Sequence, residues 1–291
     1  MKPTKPIILA INGDDHPNSM VGLCPSEGVD RTDGETKSHY TPGKAQRWLW
    51  ECQEDYVERL RKLKKRMKCE LWWVKNGDGT DDNTHSKHGL ISMLTNEIVE
   101  IGYQVTKPIL DIADRIFIVN GTEAHVGKGA ALEKLIAQRI VLEYKAGSHK
   151  CKVTKGYVSY TRWCWQFLAS GVHILCQHKP KSTSRILRTR GGGANRTAVE
   201  LALEMINTGR ELPDVAYYAH FHHPEDSGEN HPIRVFLNPC MKLHGSWESG
   251  ANFSAERVGI RVAICDNGKF TPLPLRDWTY LPKGDEIWEA K

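Results

Sequence analysis

The chain has 291 residues, 40% of them hydrophobic and 26% charged, and a formal net charge of +5. This is the balance of an ordinary globular protein, and no segment approaches the roughly 18 consecutive apolar residues that a membrane span requires, so a transmembrane role is excluded. The mild positive charge permits an anionic substrate without itself arguing for nucleic acid.

The amino-terminal "MKPTKPIILAINGDD" carries Lys2 and Lys5 ahead of its apolar run. That run is too short for a secretory core and meets acids instead of a small-residue cleavage site, so a cytoplasmic location is the expectation. It has the texture of a buried strand, and it ends in Asp14, Asp15 and His16. The polar stretch from Cys24 to Pro42 reads as an insertion loop. After it, "TPGKAQRWLWECQEDYVERLRKLKKRM" places Trp48, Leu49, Cys52, Tyr56, Leu60 and Leu63 at helical spacing, with Thr41 as the expected cap and Pro42 in the first turn. The basic run "RLRKLKKRMK" is read as the solvated face of this helix.

Further short apolar runs alternate with helical patterns. "CELWWVKN" leads to Gly77, Asp78, Gly79 and Asp81, and "RIFIVN" leads to Thr122, Glu123 and His125. "GVHILCQ" leads to His178, and "DVAYYA" leads to His220, His222 and His223. The stretches "LISMLTNEIVEIGYQVTKPILDIA" and "ANRTAVELALEMINTG" read as intervening helices, so the class is α/β. Past residue 230, Asn267-Gly268 between alternating apolar residues predicts a hairpin, and antiparallel strands are expected there. No repeat or linker interrupts the chain, which reads as one domain over 1–291.

Each predicted strand thus ends in carboxylates or imidazoles. In α/β sheets, residues distant in sequence converge beyond the carboxyl ends of the strands. A donor set of Asp and His without Cys suits divalent ions of hard or borderline character: Mn²⁺ by preference, with Fe or Zn²⁺ also suited. Eight cysteines are scattered with no Cys-x-x-Cys pair, so neither a disulfide framework nor a thiolate cluster is expected. A pair of ions would need a bridging carboxylate to offset their repulsion, and Asp78, between two glycines, is the candidate.

In order, the motifs Asp14-Asp15-His16, Gly77-Asp78-Gly79-Thr80-Asp81, Gly121-Thr122-Glu123-Ala124-His125, His178 and His220-Phe221-His222 resemble those of the calcineurin-like metallophosphoesterases. "GDDHPNSMVGLCP", "AQRWLWE" and "GTEAHVG" are similar to the compact members found in phage and prophage genomes, which would place the protein in a host cytoplasm.

The resemblance implies a four-layer α/β-β-α sandwich and hydrolysis of phosphomonoesters or phosphodiesters by attack of a metal-bridging hydroxide. One ion would take Asp14, His16, Asp78 and His222. The second would take Asp78, His178, His220 and either Thr122 or Glu123. The third motif departs from the family's Gly-Asn-His pattern, and His125 is favoured as the acid that protonates the leaving oxygen.

Between His178 and Glu200, a stretch with no acidic residue carries Arg185, Arg188 and Arg190, candidates for gripping substrate phosphate. His85 and His88 read as a solvated loop, and "YTRWCWQF" as core or interface. The alternative functions are a metal-dependent DNA nuclease, with nucleic acid as partner, and a non-catalytic metal-binding scaffold whose second ion site has decayed.

Overall fold

The computed structural model describes residues 5–33, 36–82, 89–145, 151–156, 159–180, 192–244, 257–274 and 276–279. Strand β1 (Ile7–Asn12) is followed by a hairpin of β2 (Val29–Asp33) and β3 (Thr36–Tyr40), helix α1 (Lys44–Met67), β4 (Glu70–Asn76), α2 (Thr95–Leu110) and β5 (Arg115–Val119). Then come the one-turn helix α3 (Glu123–Val126), α4 (Ala131–Lys145), the short strands β6 (Lys152–Val153) and β7 (Thr161–Arg162), β8 (Cys164–Ala169) and β9 (Val172–Gln177). The remainder comprises α5 (Gly193–Asn207), β10 (Val215–Tyr218), β11 (Glu225–Asp226), β12 (Arg234–Leu237), β13 (Arg257–Asp266), β14 (Lys269–Pro272) and β15 (Arg276–Thr279).

Two large sheets form the body. One runs in the order β14-β13-β1-β4-β5-β6, with β7 also on β5 and β15 on β13, and the other runs β11-β12-β10-β9-β8. Strands β1, β4 and β5 are parallel neighbours, as are β9, β10 and β12.

The alternation of side chains along each strand decides the layering. Ile8, Ala10, Leu71, Trp73, Ile116 and Ile118 face helices α1, α2 and α4, meeting Leu49, Tyr56, Leu60, Tyr103, Ile109, Ile136 and Ile140. Their neighbours Ile7, Leu9, Ile11, Val74, Phe117 and Val119 point the other way, onto Trp165, Ile174, Cys176, Val215, Tyr217 and Phe236 of the second sheet. The outer face of that sheet, with Leu175, Ala216, Tyr218, Val235 and Leu237, packs on Ala194, Ala198, Leu201 and Met205 of α5. The result is a four-layer α/β-β-α sandwich. Both sheets are covered on both faces, which is why their strands read as near-continuous apolar runs.

Local differences from the sequence reading have physical causes. Helix α1 is capped at Gly43, not Thr41: Gln46, three residues in, reaches back to accept from the Gly43 N–H at 3.3 Å. The polar stretch 24–42 contains the β2–β3 hairpin, where Val29 and Tyr40 cover a small cluster of Cys24, Ile91 and Ile101. Asn267 and Gly268 both have positive φ, 47° and 82°, as a tight turn between antiparallel β13 and β14 requires. Trp165 of "YTRWCWQF" is buried between the sheets and Phe167 stacks on Phe117, while Trp163 is exposed. All eight cysteines are unpaired thiols, and among the described residues no helix is long and apolar enough to cross a membrane.

Candidate metal centre

Five strand ends open onto one point. Asp14 and His16 follow β1, Asp78 and Asp81 follow β4, Thr122 to His125 follow β5, His178 follows β9, and His220 and His222 follow β10. The first three strands belong to one sheet and the last two to the other, so the donors come from the carboxyl ends of strands in both sheets. Ligand atoms within 4.8 Å of one another form three groups: Asp14 with His16 and His222, His16 with Asp78 and His125, and Asp78 with His178 and His220.

Each central carboxylate divides its labour. Asp14 Oδ2 accepts from the His220 backbone N–H at 2.8 Å. Its Oδ1 faces three imidazoles, with His222 Nε2 at 3.4 Å and His16 Nε2 and His178 Nε2 both at 3.8 Å. Asp78 Oδ1 accepts from the Thr122 N–H at 2.7 Å, while the Thr122 hydroxyl lies 3.1 Å from Oδ1 and 3.3 Å from Oδ2. Asp78 Oδ2 faces His178 Nε2 at 3.1 Å and His16 Nε2 and His125 Nε2 at 3.9 Å. Donors that each sit about 2.1 Å from a common ion stand roughly 3 to 4 Å from one another, and that is the spacing here.

An unsatisfied atom makes the same case. Asp14 Oδ1 is buried and finds no hydrogen-bond partner. Leaving such a group unpaired costs about 1–3 kcal/mol, and a cation beside it removes that penalty. His178 Nδ1 donates to the Asn76 carbonyl at 2.7 Å, which reserves Nε2 and its lone pair for the cage. These residues fit divalent cations, with Asp78 common to two of the three groups.

Charge balance tunes the donors. Burial alone would lift Asp14 and Asp78, but His222 and His178 beside the first, and His178, His16 and His125 around the second, hold both carboxyls well below the usual carboxylate range. Burial, aided by His125, lowers His16 to about 4, and burial with His178 nearby lowers His220 to about 4. Both are therefore neutral donors at pH 7. For His178, burial works downward, yet Asp78 and Asp14 outweigh it and raise the imidazole to about 10. With no ion bound, His178 consequently carries a second proton, on Nε2, which faces Asp78 Oδ2.

The turns that present these donors are backbone-strained. Asp14, His16, Asp78, His220 and His222 have φ of 55°, 42°, 48°, 74° and 55°, in the left-handed region where a side chain costs about 1 kcal/mol or more. Glycine is indispensable at two adjoining points. A Cβ on Gly77, whose φ is +83°, would lie 2.4 Å from His178 Nδ1, and one on Gly121 would lie 2.2 Å from the Asp78 nitrogen.

The third motif separates its three candidates. Thr122 holds Asp78 as described. His125 is one-quarter exposed at the mouth, with Nδ1 2.9 Å from Asp81 Oδ1, and Asp81 is held well below the carboxylate range because His125 and His16 outweigh its burial. The Glu123 carboxylate accepts from the Gly129 N–H at 2.8 Å, on the turn that follows α3, and belongs to none of the three groups. Arg185, Arg188, Arg190, His85 and His88 lie outside the described residues.

Sequence reasoning missed the supports beneath the cage. Asp15 is buried against Lys75 at 2.6 Å and accepts from Asn12 Nδ2 at 2.8 Å, while Asn12 accepts from the Trp73 indole at 2.7 Å. The signal was a lysine inside the otherwise apolar run "LWWVKN". Glu133 is the other, and its signal was an acid on the stripe shared with Ile136, Ala137 and Ile140 of α4.

A scan against protein-family models finds no match, and no curated protein matches. Among solved structures, Vps29 from Chaetomium thermophilum is 10% identical with a TM-score of 0.39, over 95% of this chain and 98% of that one. A single mutant of Vps29 from Entamoeba histolytica is 8% identical with a TM-score of 0.39, over 93% and 99%. A dimetal phosphatase from Danio rerio is 9% identical with a TM-score of 0.41, over 92% and 98%. At such identities the chemistry of the centre rests on its own geometry.

Proposed function

We propose that the chain is a metallophosphoesterase of the calcineurin-like kind, a hydrolase of phosphoric esters that works with two divalent ions. One observation carries the reading: two buried carboxylates, Asp14 and Asp78, each turn a single oxygen toward three imidazole nitrogens. Asp14, His16, Asp78 and His222 would hold one ion, and Asp78, His178 and His220, with Thr122 beside them, the other. When bound, such a pair supplies charge neutralisation for the phosphoryl oxygens and a water acidic enough to attack phosphorus near neutral pH.

The chain's own residues do the rest. His125, at the open side of the cage, donates a proton from Nε2 to the departing oxygen. Asp81 orients that imidazole through Nδ1. The Thr122 backbone N–H holds Asp78 Oδ1, which leaves Oδ2 turned inward. Arg185, Arg188 and Arg190 are assigned to the substrate's phosphate on chemistry alone, since a guanidinium meets phosphate oxygens in bidentate fashion.

The test is a phosphoester panel with Mn²⁺, spanning monoesters, diesters, cyclic esters and DNA, run alongside metal analysis. Two ions per chain and turnover of at least one ester class are expected. One ion per chain with no turnover would identify a binding protein instead. Cleavage of DNA alone, falling steeply with salt through counterion release, would identify a nuclease.

A further inference from the structure

We propose that Glu133 is a positioning residue for the metal centre, locking together the two loops that aim Asp78; this rests on the two-ion reading above. Glu133 lies in the first turn of α4 and is fully buried, 2% exposed, behind the cage instead of in it. Its Oε1 accepts from the Gly79 N–H at 3.0 Å and its Oε2 from the Gly121 N–H at 2.7 Å. Gly79 directly follows Asp78, and Gly121 directly precedes Thr122.

These bonds close a ring. From Glu133 it passes to Gly79, along the backbone to Asp78, across from Asp78 Oδ1 to the Thr122 N–H at 2.7 Å, back one residue to Gly121, and home to Glu133. The ring occupies Asp78 Oδ1 and fixes the plane of the carboxylate, so Oδ2 is delivered to His16, His125 and His178. The glycines give the ring its size: a Cβ on Gly79 would come within 2.5 Å of the Lys75 Cε, and one on Gly121 within 2.3 Å of Asp78 Oδ1.

A carboxylate is an expensive choice for this position. Burial pushes Glu133 up to about 7, against the pull of the two amides. Glutamine would fill the same volume without that desolvation penalty, but it offers only one acceptor oxygen. Two amides on two loops need two, and its NH₂ group would oppose one N–H. Supporting groups of this kind typically change metal affinity by about 10–100-fold when removed, because the ligand they hold loses its preset direction.

The experiment compares full-length wild type with Glu133→Gln by Mn²⁺ calorimetry and by electron paramagnetic resonance of the bound ions, with melting of the ion-free chains as the check on folding. Expected are melting points within a few degrees of each other, an affinity for at least one Mn²⁺ weakened about 10–100-fold, and a weakened spin coupling between the ions. Should Glu133→Gln fail to fold, Glu133→Asp, which keeps the charge but falls one methylene short, is read in the same way. Wild type and variant binding two ions alike would overturn this assignment and leave the two-ion reading standing. A wild type that takes up no ion would overturn both.

Discussion

Replacing His125 with alanine separates proton donation from metal binding. The imidazole stands at the mouth, one-quarter exposed, with Nδ1 tied to Asp81 at 2.9 Å and Nε2 3.9 Å from Asp78 Oδ2. Its removal leaves the Asp14–His222 and Asp78–His178 contacts in place, so ion content is expected to hold. General acid catalysis contributes about 10²–10⁴-fold where the leaving oxygen needs a proton. At 1.36 kcal/mol per decade this is roughly 3–5 kcal/mol of transition-state stabilisation. An alkyl phosphate, whose alkoxide departs poorly, should lose that full factor in kcat/KM. A p-nitrophenyl phosphate, whose anion leaves unaided, should lose less than about tenfold by the same logic. The assay is steady-state kinetics on the two esters with Mn²⁺ at saturation and bound metal measured in parallel. Equal losses on both esters, with ion content reduced, would refute the acid role and make His125 a ligand through its group with His16 and Asp78.

Other outcomes follow from the same geometry. Asp78→Asn keeps the Thr122 hydrogen bonds but loses the shared anion, so Mn²⁺ stoichiometry and turnover should collapse while the melting point moves only a few degrees; full metal-dependent turnover would remove Asp78 from the bridge. Mn²⁺ binding should strengthen with pH. His178 titrates at about 10 in the ion-free chain, so below that pH an ion must displace its proton, and apparent affinity should rise about tenfold per pH unit between roughly 7 and 9. Calorimetry in buffers of differing ionisation enthalpy should register the proton released, and a flat profile would count against His178 as a ligand. Lys75→Met strands the buried Asp15 carboxylate and should cost about 3–5 kcal/mol in denaturant unfolding. Adding Asp15→Asn should recover much of that loss, and failure to recover any would mean that the pair is not the source.

The pattern of apolar run followed by donor was legible because strand ends are where a buried backbone first returns to polar company, and glycines such as Gly77 and Gly121 mark the sharp exits. The four layers were implied by the family resemblance that the ordered motifs carry, not by the residue patterns themselves. That β9 and β10 lie in a separate sheet from β1, β4 and β5 could not, because alternating burial looks alike whichever sheet a strand joins. Thr41 was the better cap by residue type, yet Gln46 serves Gly43 from inside the helix, a reach that only the three-dimensional path reveals. The split among Thr122, Glu123 and His125 was equally hidden. It depends on a one-turn helix that swings Glu123 toward Gly129 and His125 toward Asp81, and four residues carry too little periodicity to predict that.

The left-handed turns that carry Asp14, His16, Asp78, His220 and His222 have a consequence for how such a chain can change. Glycine would relieve roughly 1 kcal/mol or more at each of them, so the mutations that make these loops most comfortable are also the ones that strip out donors. Changes that ease these turns and changes that remove candidate ligands therefore lie in the same direction from this sequence.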